Sequence, residues 1–387
     1  MEFHAAEPVV VGNATVVAGD RTFPGWVAVE HGRIVEVGEG RGVSDAIDCQ
    51  GDFLLPGLVE LHTDHLEAHF MPRPRVFWHA DSAVIAYDAQ IVAAGITTVF
   101  DSFRVGMDEY EDWRGGVGEQ VASLADAIER ARAAGLLRAD HQTHLRCEVP
   151  SSDVVESFEA FLARHPARLV SLMDHTPGQR QFRDLDKYFI YYQGKSGKSA
   201  HELADVVRHR QRVGRERAEA NRPRVVALAH AHRLTLASHD DTTLDDVEQA
   251  KREGVHIAEF PTTLEAAAAS RAAGMATVMG APNVVRGGSH SGNASARDFA
   301  EAGLLDILSS DYVPAALLMA AFRLADAPKV DGLAGAVRLV TKNPAEAAGL
   351  FDRGEIVAGR RADLVRARAH HGEPVVRAVW REGVRVA

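Results

Sequence analysis

The chain has 387 residues, 46% hydrophobic and 25% charged, a soluble globular balance that excludes a largely disordered protein and suffices for one barrel plus a smaller domain. Its formal net charge of −11 excludes long-range attraction to nucleic acid or to an acidic membrane, so an anionic ligand has to be held by local arginine, lysine, main-chain amides or metal. Two cysteines, Cys49 and Cys147, exclude a disulfide framework; with no secretory pattern at the start and no run long enough to span a bilayer, the cytoplasm is the default expectation.

In chain order, short β-branched runs at 9–11, 14–17, 26–30 and 33–37 are separated by Gly12-Asn13, Gly19-Asp20 and His31-Gly32, which predicts antiparallel hairpins. Next comes Leu54-Leu-Pro-Gly-Leu-Val-Glu-Leu-His-Thr-Asp-His-Leu-Glu67, a buried-strand pattern ending in His62, Asp64, His65 and Glu67. A strand that delivers imidazole and carboxylate at its C-terminal tip is how an α/β barrel begins a metal site. Helical stretches at 117–134, 201–217 and 262–273 then alternate with apolar strands at 97–101, 141–148, 169–175, 234–239, 256–260, 277–280 and 307–311. Loops rich in Gly, Pro and polar residues are expected at 72–81, 174–198 and 283–296. After the Gly-rich 357–361, strands return at 362–365, 374–380 and 384–386. The fold class is therefore α/β: a distorted (β/α)8 TIM-like barrel over 56–345, inserted in a small β-sandwich domain built from 1–55 and 346–387.

Several of these strands end in a metal-ligating type: His62 and Asp64, Glu148, His175, His239 and Asp311. In a parallel barrel the C-terminal ends converge on one face, so residues far apart in sequence become neighbours around an ion. Imidazole and carboxylate suit a divalent cation, zinc first and manganese or iron as alternatives, and the number of ligands allows one ion or two. Taken singly, a His or Asp of this kind is more commonly a helix cap or a hydrogen-bonded loop residue than a ligand. Gly194-Lys-Ser-Gly-Lys-Ser199 is not a Walker A sequence, because Phe189 stands where that motif needs its first Gly. Lys195 could close over a phosphate or belong to an exposed loop, and Tyr188, Tyr191 and Tyr192 could stack on a ligand or pack beneath that loop.

The order of parts, with terminal β pieces, Leu-Pro-Gly-Leu-Val before the ligand strand, strand-end histidines and a last-strand Asp, resembles the amidohydrolase superfamily. Longer strings narrow the resemblance. Leu61-His-Thr-Asp64, Pro72-Arg-Pro74, Asp88-Ala-Gln90, Ala94-Gly-Ile-Thr-Thr-Val-Phe-Asp101, Leu145-Arg-Cys-Glu148, Ala237-Ser-His-Asp-Asp-Thr-Thr243, Arg286-Gly-Gly-Ser-His-Ser-Gly-Asn293 and Ser309-Ser-Asp-Tyr312 are similar to the family of ribose 1-methylphosphonate 5-triphosphate diphosphatases of carbon–phosphorus lyase pathways. The superfamily's His-x-His appears here as His62-Thr63-Asp64, and its carbamylated lysine as Glu148. Glu148, His175 and His239 fall one strand earlier than the superfamily's scheme, which keeps His144 as an alternative ligand; His65 stands where the family usually has Asn, which argues against an essential role.

The resemblance implies release of diphosphate from the ribose 5-triphosphate, leaving ribose 1-methylphosphonate 5-phosphate. Metal-activated water would attack phosphorus in line, and Asp311 would act as proton acceptor and ligand. Arg286, Ser289 and His290 would contact phosphate or phosphonate oxygens, while Arg73, between two prolines, is either a further anion contact or a solvated arginine. Glu67 and His69 rank below His62 and Asp64. The implied partner is a phosphorylated ribose, with no nucleic acid or membrane, and homo-oligomerisation is compatible with it. The competing functions are an amidase or deaminase on the same scaffold, and a metal-binding scaffold of a phosphonate-processing complex.

Overall fold

The computed structural model describes residues 8–40, 42, 45–73, 76–106, 117–180, 185–186, 188–189, 193, 199–288 and 293–387. Two eight-stranded sheets organise them.

The first sheet joins the two ends of the chain. Its strands are β1 (Val9–Ala18), β2 (Arg21–Glu30), β3 (Arg33–Glu39), β4 (Ile47–Asp48), β5 (Phe53–Pro56), β14 (Leu364–His370), β15 (Glu373–Arg381) and β16 (Val384–Arg385). They run in the order β16-β15-β14-β5-β1-β2-β3, with β4 beside β1. The expected hairpin at Gly12-Asn13 is instead a bulge within one long strand: the β1–β2 register slips between Val11 and Ala14, and Asn13 takes φ 49°. The antiparallel hairpins expected at Gly19-Asp20 and His31-Gly32 are present as β1–β2 and β2–β3, while β4 and β5 lie parallel to β1. Beyond β3, Ile34 bonds the main chain at Gly359 and Arg360, so the sheet wraps round a core that includes Val16, Val27, Ile34, Leu54, Leu364 and Trp380.

The long apolar run that starts at Leu54 is two strands, not one. It passes from β5 to the barrel at Gly57, whose amide donates to the Asp363 carbonyl (2.8 Å) and where any Cβ would overlap the Thr97 side chain. The second sheet is the barrel: β6 (Leu58–Thr63), β7 (Ile96–Val105), β8 (Asp140–Glu148), β9 (Leu169–Met173), β10 (Thr235–His239), β11 (Ile257–Glu259), β12 (Ala276–Gly280) and β13 (Ile307–Ser309). All neighbours pair in parallel, and a bridge between Thr63 and Asp311 closes the ring. Val59, Leu61, Phe100, Leu169, Ala237, Ile257, Val278 and Ile307 fill the lumen, with Ala345 and Leu350 packed against them, so this is a solid core and not a pore.

Helices surround the barrel. The stretch expected at 117–134 is Val117–Ala133, and that at 262–273 is Leu264–Ala272, capped by the Thr263 hydroxyl on the Ala266 amide. The helix expected at 201–217 runs much further, Ala200–Ala231, straight through Pro223. It opens on a capping box in which Ser199 and Glu202 satisfy each other's main-chain amides. The expected loop at 283–296 is helical at its start, because Ala281–Arg286 continues directly from β12 with Pro282 in the first turn and Gly287 as the left-handed cap. Among the described residues no helix is long and apolar enough to cross a membrane.

Candidate metal centre

At the C-terminal ends of the barrel strands, imidazoles and carboxylates gather in a cluster that is buried at His62, Glu148, His239 and Glu259 and partly exposed at Asp64, His175 and Asp311. His62, at the end of β6, lies with its ring 5.5 Å from His239 at the end of β10, and His239 lies 5.6 Å from His175, just beyond β9. Glu148, the last residue of β8, accepts from His175 Nδ1 (2.5 Å) and from the His175 amide (2.9 Å). Although burial opposes it, the contact with His175 and then Arg104 holds the Glu148 carboxyl below its usual range. Asp64 stands at the N-cap of the short helix His65–Phe70 without capping it, and faces Arg146 at 3.3 Å instead. Asp311 closes the barrel beside Thr63; desolvation and the nearby Asp64 carboxylate push it up to about 7.

The residue that organises this cluster is Glu259, at the end of β11 and 1% exposed. One of its oxygens is 3.1 Å from His62 Nδ1 and the other 3.1 Å from His239 Nδ1, and Ser171 Oγ donates to it at 2.6 Å. Burial would raise this carboxyl, but His62 and His144 hold it well below its ordinary value. A carboxylate on Nδ1 fixes the imidazole's orientation and leaves Nε2 as the ligating atom. His144 is engaged on both nitrogens, Nδ1 with the Leu61 carbonyl (2.8 Å) and Nε2 with Ser171 Oγ (2.5 Å), and burial drops it to about 3.

Some backbone strain lies at the same ends. Asp240, Phe260 and Asp311 each follow the tip of a barrel strand with φ of 55°, 53° and 55°, a left-handed conformation that costs a non-glycine residue about 1 kcal/mol or more. Beneath them Glu60 is fully buried and accepts from the His62 amide (2.7 Å), Ser309 Oγ (2.8 Å) and the Ser310 amide (2.5 Å). It ties the first strand to the last, and burial raises its carboxyl to about 7.

Among the described residues two groups have donor atoms within 4.8 Å of one another: His62, His144 and Glu259, and His175, His239 and Asp240. Nitrogen and carboxylate oxygen at this spacing fit a divalent cation. Asp64, Glu148 and Asp311 border these groups without belonging to either, and His65 turns away to pack on His69 and Tyr87. His69 Nε2 contacts Gln90 Oε1 at 2.7 Å. Arg286, in the last turn of the helix after β12, and Arg73, bridged to Val76, are both exposed. Lys195, Ser289 and His290, with Tyr191 and Tyr192, lie outside the described residues; Tyr188 is buried, its hydroxyl accepting from Arg210 at 2.6 Å.

Sequence reasoning passed over Glu259, Asp240, Glu60 and Ser171. Glu259 could have been found, since it ends the apolar run at 256–260 as Glu148 ends its own. Asp240 adjoins His239 in the Ser-His-Asp-Asp string, whereas nothing local marks Glu60 or Ser171, whose partners come from other strands.

The alpha-D-ribose 1-methylphosphonate 5-triphosphate diphosphatase of Escherichia coli (strain K12) is 46% identical over 382 residues, 98% of this chain and 100% of that protein. The chain belongs to that diphosphatase family. No family model matches it. In fold this diphosphatase-family chain is similar to 5-methylcytosine deaminase from Klebsiella pneumoniae (TM-score 0.65, 14% identity, 98% of each chain). Molinate hydrolase gives a TM-score of 0.63 at 15% identity, covering 99% of this chain and 95% of that one. N-acetyl-D-glucosamine-6-phosphate deacetylase from Mycobacterium smegmatis gives 0.62 at 17%, covering 98% and 99%. At such identities the likeness concerns the fold alone.

Proposed function

We propose that this chain hydrolyses α-D-ribose 1-methylphosphonate 5-triphosphate to α-D-ribose 1-methylphosphonate 5-phosphate and diphosphate. The observation that carries the reading is the 46% identity to the Escherichia coli diphosphatase along its entire length. The imidazole and carboxylate cluster at the barrel mouth supports it. His62, Asp64, Glu148, His175, His239 and Asp311 hold one or two divalent ions, zinc first. When bound, such an ion acidifies water and offsets charge on phosphoryl oxygens. Asp311, at the tip of the last strand, takes the proton of the attacking water. Glu259 holds the His62 and His239 rings in one orientation, and Arg146 keeps Asp64 in place. Arg73 and Arg286, with Ser289, His290 and Lys195, bind the substrate's phosphate and phosphonate oxygens. The chain works in the cytoplasm, divides at 56 and 345 into barrel and terminal domain, and is compatible with homo-oligomerisation.

The test is incubation with that triphosphate and zinc, manganese or iron in turn, followed by phosphorus NMR. Diphosphate and the 5-phosphate should appear together. If no diphosphate is released with any of these metals, while a cyclic amide is cleaved, the reading is wrong.

A further inference from the structure

A cleft of about 970 Å³ opens where the segment leading into β8 meets the terminal sheet. Asp140, the first residue of β8, lines it, so it lies at the N-terminal end of the barrel, opposite the strand-end cluster. Six arginines face it: Arg33, Arg132, Arg138, Arg361, Arg381 and Arg385. Three carboxylates share the lining, and each already has a guanidinium. Asp140 pairs with Arg353 (2.6 Å) and Arg361 (3.2 Å), Asp352 with Arg353 (2.8 Å), and Glu382 with Arg361 (3.8 Å).

Arg33, Arg381 and Arg385 are held differently. Arg33 donates to the Gly359 carbonyl (2.8 Å), Arg381 to those of Leu137 (3.3 Å) and Ala139 (2.6 Å), and Arg385 to that of Ala387 (3.1 Å). None of these three forms an ion pair among the described residues. In a chain of net charge −11, a cleft with this surplus of forked donors is built for an anion with several oxygens. Leu136 (57% exposed) and Val384 (44% exposed) add an apolar wall beside them. The volume lies near the upper end of the usual range for small-molecule sites, roughly 300–1,000 Å³.

We infer that this cleft binds a small molecule bearing a di- or triphosphate, its phosphates on Arg33, Arg381 and Arg385 and any uncharged part against Leu136 and Val384. The site is separate from the strand-end cluster, so it stands whether or not the proposed hydrolysis does. It also touches the strand that carries Glu148, because Arg132 donates to the His141 carbonyl at 2.6 Å.

The test is calorimetric titration of the full chain with magnesium ATP and, separately, with inorganic diphosphate. Wild type is compared with the Arg33→Ala/Arg385→Ala double variant and with Arg385→Glu. At least one ligand should bind wild type, and both variants should weaken it by about tenfold or more. Melting temperature and kcat/KM for triphosphate hydrolysis should stay unchanged. Equal affinity for the two ligands assigns recognition to the phosphates alone; tighter binding of ATP brings in the apolar wall. If neither ligand binds at millimolar concentration, or if affinity is the same in wild type and both variants, the inference is overturned.

Discussion

Two buried histidine and carboxylate clusters sit on this barrel, and they are built to opposite ends. On the outer wall, His141 has Nδ1 2.9 Å from Asp101 and Nε2 3.2 Å from Asp88, and Asp88 also accepts the Arg138 and Ala139 amides at 2.9 Å each. Both ring nitrogens are spent, and the cluster is closed. At the barrel mouth a single carboxylate, Glu259, serves His62 and His239 through Nδ1; His62 keeps Nε2 for another partner, and His239 Nε2 faces Asp240 at 3.4 Å, which stands in the same candidate ligand group. Residue type and burial are alike in the two places; what separates His141 from His62 is whether the protein consumes both ring nitrogens. Asp240, Phe260 and Asp311 at the mouth take left-handed backbone, whereas His141, Asp101 and Asp88 on the wall do not.

The contrast can be broken at several points. Asp311→Asn should reduce diphosphate release by about 10²–10⁴-fold while the melting temperature holds, as expected for a lost proton acceptor. A rate within a few-fold of wild type would remove Asp311 from that role. On the wall, Asp101→Asn leaves an imidazolium half paired in a buried site and should cost about 3–5 kcal/mol in urea unfolding, with metal content unchanged. Loss of metal instead of stability would merge the two clusters into one. Glu259→Gln should keep the metal stoichiometry yet weaken affinity by about 10–100-fold in a chelator competition, because one imidazole loses its acceptor. Loss of a whole equivalent of metal would make Glu259 a ligand.

The smallest effect is a dependence on pH. Burial alone would lower His141, but Asp101 and Asp88 outweigh it and raise it to about 9. Because the folded value exceeds the unfolded one, its stabilisation is fully present below about pH 6.5 and is lost as pH rises through about 9. Within that window one pH unit should remove at most about 1.4 kcal/mol of unfolding free energy, and His141→Gln should flatten the slope. A slope that survives His141→Gln unchanged would assign it to another group.

Much of this architecture is legible in the sequence. Alternating apolar runs and helical stretches mark all eight barrel strands, and the strand-end His62, Glu148, His175, His239 and Asp311 each stand out because a polar ligand type terminates an apolar run. The misreadings have physical causes. Gly12-Asn13 has the composition of a turn, yet a bulge uses the same left-handed residue, and pairing with β2 on both sides decides between them. The run from Leu54 is uniformly apolar because both of its halves are buried, so nothing in its pattern announces that Gly57 divides it between two sheets.

By itself the sequence determined which segments are strands and helices, and which of them end in groups able to bind metal, because periodicity and residue type are local properties. Only the tertiary structure decided how those groups are shared. Glu259 faces two imidazoles from other strands, His144 is tied on both nitrogens, and His141 is closed between two aspartates. Such assignments depend on distances of about 3 Å between residues separated by up to 197 positions, set by the closure and stagger of the barrel.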